Sequence, residues 1–443
     1  MPQSLNTSPL GRLLRMGSVA TRVTTSLAVE RTLGFAFSGP SATLRRTENL
    51  VVNAMRVTEA LGELKGAAMK LGQMISAHEG LLPPEVCDVL QTLQRDAPAV
   101  PYAQMRTVLE AEVPGGMTQF AALDTQPLAA ASIGQVYRGR LVDGRDVAVK
   151  VQYPNIDKIV EADLQALKQL LGSLVAMVVD VDFDAIWVEM RERLLEELDY
   201  HQEAHHIARM RECYADDPLI IVPRVIPEAS GQRVLTMEYV PGIHPDDACS
   251  ERYDASLRDR WGARHLLFVM RGLLEHRFLH ADPNFGNYAF REDGAMIVYD
   301  HGCVKEVSER VAAGCARILE HSLAQDLEAL PDALHALGVH ARKDGTRVPA
   351  RLVDPIGQEW LDIVGPEPYK FSEACGLYRT LLDRQGEYLL EISRLELPAE
   401  LTFVNRTLTG AFGNLCRLRA RGRWGELLAP LALGGDGSQR RPA

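Results

Sequence analysis

The sequence lacks the cysteine and histidine patterns of the common disulfide and zinc proteins. Its seven cysteines are scattered and contain no C-x-x-C pair, and its twelve histidines contain no H-E-x-x-H motif. These absences argue against a disulfide framework, a structural zinc site and a zinc metalloprotease. They predict reduced thiols in a cytosol-like compartment.

The sequence also lacks a long hydrophobic run. No stretch approaches the ~18 consecutive apolar residues that span a bilayer. The best candidate, residues 170–179, is short and is followed by Asp180 and Asp182, so we expect it to form a buried helix. The first residues contain no continuous apolar core of the kind found in signal peptides. The sequence therefore predicts a soluble cytoplasmic protein, or a mitochondrial matrix protein if the source is eukaryotic.

Basic residues are fewer than acidic ones. With 48 Lys and Arg against 59 Asp and Glu, the net charge is -11, which argues against a general nucleic-acid binder. Residues 1–45 are the exception, because arginines far outnumber Glu30 there and a partly amphipathic helix is predicted. This segment could lie on an anionic membrane surface, peripherally on the inner membrane face, or act as a transit peptide. A packing or disordered extension is the alternative.

Residues 280–300 carry the pattern from which the chemistry is inferred. Asp282 and Asn287 are five residues apart on a predicted loop, and Asp300 follows a short apolar run that predicts a strand. Protein kinases have the same layout, H-x-D-x-x-x-x-N followed by a strand and D-x-G. Asp282 would orient or deprotonate the acceptor, while Asn287 and Asp300 would hold Mg²⁺ between the phosphates. The alternative is an ordinary polar loop with coincidental acids.

Residues 128–151 predict a β-hairpin closed at Asp143-Gly144. The second strand contains Val-Ala-Val-Lys and places Lys150 where kinases have the lysine that contacts the α- and β-phosphates. A plain hairpin with a surface lysine is the alternative for this segment taken alone.

The loop before this lysine differs from that of protein kinases. Kinases have a Gly-rich loop there, but this chain has Ala129, Ala130, Ala131 and Ser132. The methyl groups would crowd the phosphates, so the nucleotide is expected to bind differently. Further along, LTMEYVPG has the form of a kinase hinge, in which backbone groups from Glu238 to Val240 would hold the adenine edge.

Acidic residues cluster on a helix predicted over residues 184–214. In one continuous helix Asp199 and Glu203 share a face at i and i+4, and Glu197 lies about 120° round the axis from Glu203. Such a helix could offer carboxylates to two cations, although most acid clusters are solvated faces. The candidate cations are Lys150 and Lys70, the lysine of the KLGQ motif. Lys70 and Gln73 share one face of a helix predicted within residues 47–94. Taken alone, this Lys/Gln pair is typical of a solvated surface.

The chain has no long activation segment and no A-P-E motif after Asp300. His280-Ala281-Asp282 also lacks the arginine that phosphorylated activation loops engage. A peptide substrate would have no obvious place to lie, so phosphorylation of proteins is not expected.

Together these motifs resemble the UbiB/AarF (ADCK-type) atypical kinases associated with ubiquinone biosynthesis. The resemblance runs from about Ser8 to about Leu428 and rests on KLGQ, AAAS, VAVK, ELDYHQEA, HADPNFGN and the D-x-G at Asp300. It implies an α+β, bilobal protein-kinase-like fold with a small β-rich N-lobe, a helical C-lobe and an N-terminal helical extension that caps the cleft.

The resemblance also implies two ion pairs, in which Lys70 of KLGQ meets Glu197 and Asp199, and Lys150 meets Glu203. Two departures stand out. The metal triplet is DHG, with His301 in place of an apolar residue, and the membrane-spanning helices found at the C-terminus of many bacterial relatives are not seen in this chain.

The expected domains are a basic segment (1–45), a helical KxGQ extension (46–126), an N-lobe with inserted helices (127–242), a helical C-lobe (243–430) and a disordered tail (431–443). The expected function is that of an ATP- and Mg²⁺-dependent ATPase or atypical kinase, with ATP or ADP bound, that supports isoprenoid-quinone or related lipid metabolism. The expected partners are a nucleotide, a quinone precursor or lipid, and a membrane surface. The alternatives are a nucleotide-responsive pseudokinase scaffold for a biosynthetic complex, and a small-molecule phosphotransferase.

Overall fold

The chain divides into two compact units that alternate along the sequence. The first runs to Glu203 and includes Val225–Tyr239, and the second comprises Ala204–Arg224 and the chain from Val240 onward. The computed structural model describes residues 100–130, 133–156, 168, 183–196, 198–372 and 394–432. The candidate site residues that lie outside the described residues are Lys70, Gln73, Ala131, Ser132 and Glu197. Residues 1–45, the KLGQ helix and residues 433–443 of the tail lie outside them too, so the predicted domain division stays a prediction.

The described helices and strands are numbered here in chain order. The helices are α1 (Tyr102–Glu112), α2 (Phe183–Glu196), α3 (Tyr200–Cys213), α4 (Pro245–Ala248), α5 (Ala255–Leu274), α6 (Glu309–Leu323), α7 (Leu330–Leu337), α8 (Ala350–Val364), α9 (Ala399–Leu418) and α10 (Trp424–Ala432). The strands are β1 (Phe120–Leu123), β2 (Ala129–Ala130), β3 (Gly134–Leu141), β4 (Asp146–Gln152), β5 (Ile220–Ile221), β6 (Val234–Glu238), β7 (Phe278–His280), β8 (Tyr288–Phe290), β9 (Met296–Val298), β10 (Val304–Glu306), β11 (His340–Ala341), β12 (Tyr369–Lys370), β13 (Leu395–Glu396) and β14 (Arg421–Gly422).

The first unit is built on an antiparallel sheet in the order β1-β3-β4-β6, with β2 paired to β3. The predicted hairpin is confirmed: β3 and β4 pair antiparallel, and Gly144 takes the positive φ of 92° that the turn between them requires. β4 lies between β3 and β6, which is why Val147, Val149 and Val151 are fully buried and why β-branched residues suit it. The sheet thereby fixes the position of Lys150.

The helix predicted over residues 184–214 is interrupted, so the expectation of one continuous helix is wrong. α2 ends at Glu196 and α3 begins at Tyr200. Asp199 Oδ1 accepts the backbone N–H groups of His201 and Gln202 at 3.0 and 3.2 Å, which is the behaviour of an N-cap. Asp199 therefore caps α3 from the position before its first residue and is not part of the helical face that carries Glu203. The short Asp side chain satisfies backbone donors better at a helix start than within a helix.

The second unit combines short strands with long helices. β5 and β8 flank β9, with β5 parallel and β8 antiparallel to it, and β7 pairs with β10. The sequence predicts a helix over residues 253–277, and α5 follows this prediction closely. The sequence also predicts one helix over residues 308–330. That prediction is wrong in its extent, because α6 ends at Leu323 and a turn capped by Asp326 separates it from α7. None of the described helices is long and apolar enough to cross a membrane.

Candidate active site

In the first unit, Lys150 and Glu203 form a buried ion pair. Lys150 Nζ lies 2.9 Å from each carboxylate oxygen of Glu203, and the two residues are 8% and 2% exposed. Burying either charge alone would cost several kcal/mol, so the pair is stable only because both charges are present. One of the two ion pairs that the family resemblance implied is therefore present. The other involves Lys70, which lies outside the described residues, so it stays a prediction.

Two residues that the sequence reasoning missed support this pair. Gln152 lies two residues after Lys150 on β4, is buried, and donates from Nε2 to the carbonyl oxygen of Leu198 at 2.8 Å. This bond holds the segment that leads into α3. The ring of Tyr200 lies with its centroid 5.1 Å from Lys150 Nζ, within cation–π range. The period-2 alternation of a strand, which puts residues 150 and 152 on one face, was the signal for Gln152.

The described part of the predicted phosphate loop is β2. Ala129 and Ala130 are exposed and pair with Val136 and Gln135 of β3. Glu238, at the predicted hinge, ends β6 and stands opposite Val147. Alanine methyl groups therefore do stand at the start of this loop, where a glycine would have none.

Val240, the other predicted hinge residue, belongs to the second unit. Its carbonyl oxygen accepts the hydroxyl of Tyr299 at 2.7 Å. Tyr299 immediately precedes Asp300, so one side chain joins the end of the hinge segment to the strand that leads to the predicted metal ligand. The sequence reasoning had no role for this tyrosine.

The second unit brings Asp282 and Asn287 together. Asn287 Nδ2 donates to Asp282 Oδ2 at 3.0 Å, and the backbone N–H of Asn284 donates to Asp282 Oδ1 at 3.2 Å. A 3₁₀ turn over Phe285–Asn287 makes this approach possible. Both oxygens of the Asp282 carboxylate are thus held by donors from its own loop, which fixes the orientation of a group expected to accept a proton.

Asp300 lies beside Asn287 through the strand register. Tyr288 of β8 pairs with Val298 of β9, and the N–H of Tyr299 donates to the carbonyl oxygen of Asn287 at 2.9 Å. Asp300 is the next residue along. Its Oδ1 accepts the N–H of Gly302 at 3.0 Å, and its backbone carbonyl oxygen lies 2.6 Å from His280 Nε2. The three predicted residues of the second unit therefore converge on one junction of loop and strand.

The histidine of the DHG triplet is buried as an apolar residue would be. His301 is 0% exposed, and its ring centroid lies 5.5 Å from that of His280. Its carbonyl oxygen lies 3.0 Å from His206 Nδ1 of α3. The substitution therefore keeps the residue in the interior and leaves the Asp300 carboxylate tied to Gly302.

The donor chemistry of this junction fits Mg²⁺. Because Asn287 Nδ2 donates to Asp282, its Oδ1 is the side-chain atom that can bind a cation. Asp300 supplies a carboxylate, and Mg²⁺ prefers one or two carboxylates together with substrate phosphates and water. Among the residues that the structure describes, no group of three or more His, Cys, Asp and Glu side chains could hold a metal. An ion held by Asn287 and Asp300 would also need phosphate or water oxygens to complete its coordination.

The burial of His265 leads us to expect that the second unit loses stability as the pH falls. Burial, with a smaller effect of His280, lowers the pKa of this fully buried imidazole from 6.5 to about 3. The unfolded chain takes up a proton near pH 6.5, whereas the folded chain does not until about pH 3. The free energy of unfolding should therefore fall as the pH drops through this window, by at most ~1.4 kcal/mol per pH unit.

Urea unfolding followed by tryptophan fluorescence at pH 7, 6 and 5 measures this loss. The pH slope should be smaller in His265→Gln than in the wild type, while His335→Gln, at an exposed position, should keep the wild-type slope. Equal slopes in all three proteins would contradict the prediction.

Comparisons with known proteins bear on the same residues. Residues 92–333 match the model of the ABC1 atypical kinase-like domain. Over 387 residues, the chain is 36% identical to the protein named atypical kinase COQ8B, mitochondrial, of Rattus norvegicus, covering 83% of this chain and 70% of that protein. It is 33% identical over 260 residues to the protein of the same name from Danio rerio, covering 58% and 41%. The chain thus spans less than half of the Danio rerio protein and 70% of the Rattus norvegicus protein.

A solved structure has the same fold. The Mycobacterium tuberculosis protein Rv3197, determined in complex with erythromycin, superposes with a TM-score of 0.62 and 26% identity over 84% of this chain and 93% of that one. This similarity and the domain match confirm the predicted kinase-like fold, with sheet in the N-terminal part and helices in the C-terminal part. The chain therefore belongs to the ABC1 family of atypical kinases, the UbiB family that its motifs resemble.

Proposed function

We propose that this protein is an ATP- and Mg²⁺-dependent ATPase or atypical kinase that acts on a small molecule or lipid. The observation that carries the proposal is the convergence of Asp282, Asn287 and Asp300 on one junction of loop and strand. These are the side chains that phosphoryl transfer needs for orienting the acceptor and binding the metal. The buried Lys150–Glu203 pair supports the proposal, because active kinases require the equivalent pair.

In the proposed reaction, Asp282 accepts the proton of the attacking hydroxyl or water. That oxygen forms a bond to the γ-phosphorus while the bond from this phosphorus to the bridging oxygen of ADP breaks. The donors from Asn287 and Asn284 hold the carboxylate in place before the acceptor arrives. Proton transfer of this kind contributes about a hundredfold to ten-thousandfold in rate.

Lys150, and a metal ion held by Asn287 and Asp300, would neutralise the negative charge of the nucleotide phosphates. Lys150 would contact the α- and β-phosphates, with its ammonium group held in position by Glu203. The backbone from Glu238 to Val240 would hold the adenine edge, and Ala129 to Ser132 would cover the phosphates. When bound, Mg²⁺ would neutralise the charge that develops on the phosphate oxygens. Asn287 and Asp300 would hold it, as their oxygen donors suit a hard cation.

The proposed acceptor class follows from the family. The similar curated proteins are named COQ8 kinases, and the family resemblance associates them with ubiquinone biosynthesis. We propose that this chain supports isoprenoid-quinone or related lipid metabolism, with peripheral contact to a membrane surface. Only eight residues separate Asp300 from the start of α6 at Glu309, which leaves little chain to form a platform for a peptide.

The 443-residue chain should be tested with Mg²⁺-ATP, with and without anionic liposomes and quinone-precursor analogues. We expect phosphate release, or a phosphorylated lipid, that requires Mg²⁺ and disappears in Asp282→Asn. Phosphate release that persists in that variant would remove the proposed mechanism.

A second candidate is a nucleotide-responsive scaffold without turnover. The observation that favours it is the presence of Ala129 and Ala130 in β2, where kinases have glycines that let phosphates approach. Ala131→Gly should then change the relative affinities for ADP and ATP in a binding titration. Tight binding of both nucleotides without phosphate release in the assay above would favour the scaffold.

A further inference from the structure

The backbone on either side of Asp282 is held by two side chains of α9. Arg406 Nη2 donates to the carbonyl oxygen of Ala281 at 3.1 Å, and Asn414 Nδ2 donates to the carbonyl oxygen of Pro283 at 2.9 Å. These carbonyl groups belong to the residues immediately before and after Asp282. The helix therefore contacts the main chain of the catalytic loop more than 120 residues away in the sequence.

The two donors lie on one stripe of the helix with a glycine between them. Arg406, Gly410 and Asn414 are spaced by four residues and so follow one another along one face. A Cβ atom on Gly410 would lie 2.4 Å from Cγ and 2.5 Å from Cβ of Pro283, distances that force something to shift. The helix backbone therefore packs directly against Pro283, and the two side chains reach the loop on either side of that contact.

Asn414 is itself fixed from a third element. It is 5% exposed, and its Nδ2 also lies 3.3 Å from Nε2 of His265 on α5. Since the amide nitrogen is a donor, Nε2 is the acceptor, as it can be in a neutral imidazole. Both hydrogens of the amide are thus committed, one to the loop and one to α5.

We propose that the stripe Arg406, Gly410 and Asn414 is a positioning device that holds the Asp282 carboxylate in its productive place. The proposal rests on the proposed function for its effect on rate. The observed contacts of Arg406 and Asn414 are with the backbone carbonyl groups on either side of Asp282, so these side chains are positioning residues. α9 lies beyond residues 92–333, which match the family domain, so the support for the catalytic loop comes from outside that domain.

The decisive experiment compares matched pairs of variants on this one helix. Gly410→Ala places a methyl group against Pro283, whereas Gly413→Ala places one where nothing lies within 4 Å. Asn414→Ala removes the donor to Pro283, whereas Asn405→Ala changes the same residue type at an exposed position. Arg406→Lys, which keeps a cationic donor, should recover part of what Arg406→Met loses.

Two readouts separate positioning from general damage to the fold. For phosphate release, kcat should fall roughly tenfold to a hundredfold in Gly410→Ala and Asn414→Ala, while KM for ATP changes less than about twofold, because a small displacement of a reacting group costs rate and not ground-state binding. Hydrogen exchange of the peptide 280–290 should become about tenfold faster, because a buried acceptor loses its donor. Gly413→Ala and Asn405→Ala should match the wild type in both.

The exchange measurement does not depend on turnover. If the wild type releases no phosphate, the proposed function fails, and the exchange of peptide 280–290 still decides whether α9 holds the loop. Wild-type kcat and wild-type exchange in Gly410→Ala and Asn414→Ala would overturn the inference. Faster exchange spread evenly over the second unit would overturn it as well, because the stripe would then be only a part of the core.

Discussion

The Asp282→Asn variant is expected to lose nucleotide turnover by about a hundredfold to ten-thousandfold while it still binds Mg²⁺-nucleotide. Asparagine has the shape of aspartate but cannot take up a proton from an attacking oxygen. Its amide oxygen can still accept the hydrogen bond from Asn287 Nδ2, so one of the two observed hydrogen bonds to this side chain is kept. The hydrogen bond from the Asn284 N–H is lost, because the second oxygen is replaced by an NH₂ group, which is a donor.

Phosphate release and a binding titration with an ATP analogue measure the two halves of this prediction. The nucleotide Kd should change by about threefold at most, which is less than ~1 kcal/mol. Asp247→Asn, at an exposed position in the same unit, is the control and should leave both quantities unchanged. Retained turnover in Asp282→Asn would show that Asp282 is not the proton acceptor.

Lys150→Met is expected to destabilise the first unit by about 3 to 5 kcal/mol, because it removes the cation that contacts both oxygens of the buried Glu203 carboxylate. Glu203 is 2% exposed, and both of its oxygens lie 2.9 Å from Lys150 Nζ. The cost is therefore that of removing one partner of a buried ion pair, in addition to any loss of nucleotide binding.

A double variant separates stability from function. Lys150→Met combined with Glu203→Leu removes both charges and should recover most of the lost free energy of unfolding, yet bind nucleotide no better than Lys150→Met alone. Arg106→Met breaks an ion pair with Glu110 in which both side chains are about half exposed, and should cost only about 0.2 to 1 kcal/mol. A double variant as unstable as the single one would contradict this reading of the pair.

The sequence predicted the elements that carry local signals. The turn at Asp143-Gly144, the strand that ends near Lys150 and the loop from Asp282 to Asn287 all follow from backbone chemistry within a few residues. The resemblance to a known family added the pairing of Lys150 with Glu203, which no local pattern determines, because the partners are 53 residues apart.

The breaks within the helices predicted over 184–214 and 308–330 were missed because each is made by a capping aspartate. Asp199 and Asp326 each accept backbone N–H groups at a helix or turn start, and these caps interrupt patterns that otherwise continue as apolar repeats. Helix periodicity alone does not reveal such a break, whereas an Asp followed by helix formers does indicate a start.

The support of the catalytic loop by α9 could not be predicted from the loop itself. Its donors come from a helix more than 120 residues later, and the packing of α9 against α5 brings them there. One signal was present: Asn414 occupies an apolar position in the helical repeat formed by Val404, Ala411 and Leu418, and a buried polar residue normally has a specific partner.

The register between β4 and β6 sets the distance between Lys150 and the predicted hinge, and so the length of ligand that can contact both. Lys150 stands opposite Leu235, and Val147 stands opposite Glu238, so the lysine and the predicted hinge are three residues apart along paired strands. At about 3.3 Å per residue, this separation is about 10 Å. A slip of one residue would shorten or lengthen it by a third and turn every side chain of the shifted strand to the opposite face. The strand register thus fixes the spacing of these two positions. In the proposed complex this spacing would match the distance between the adenine base and the phosphates of the nucleotide.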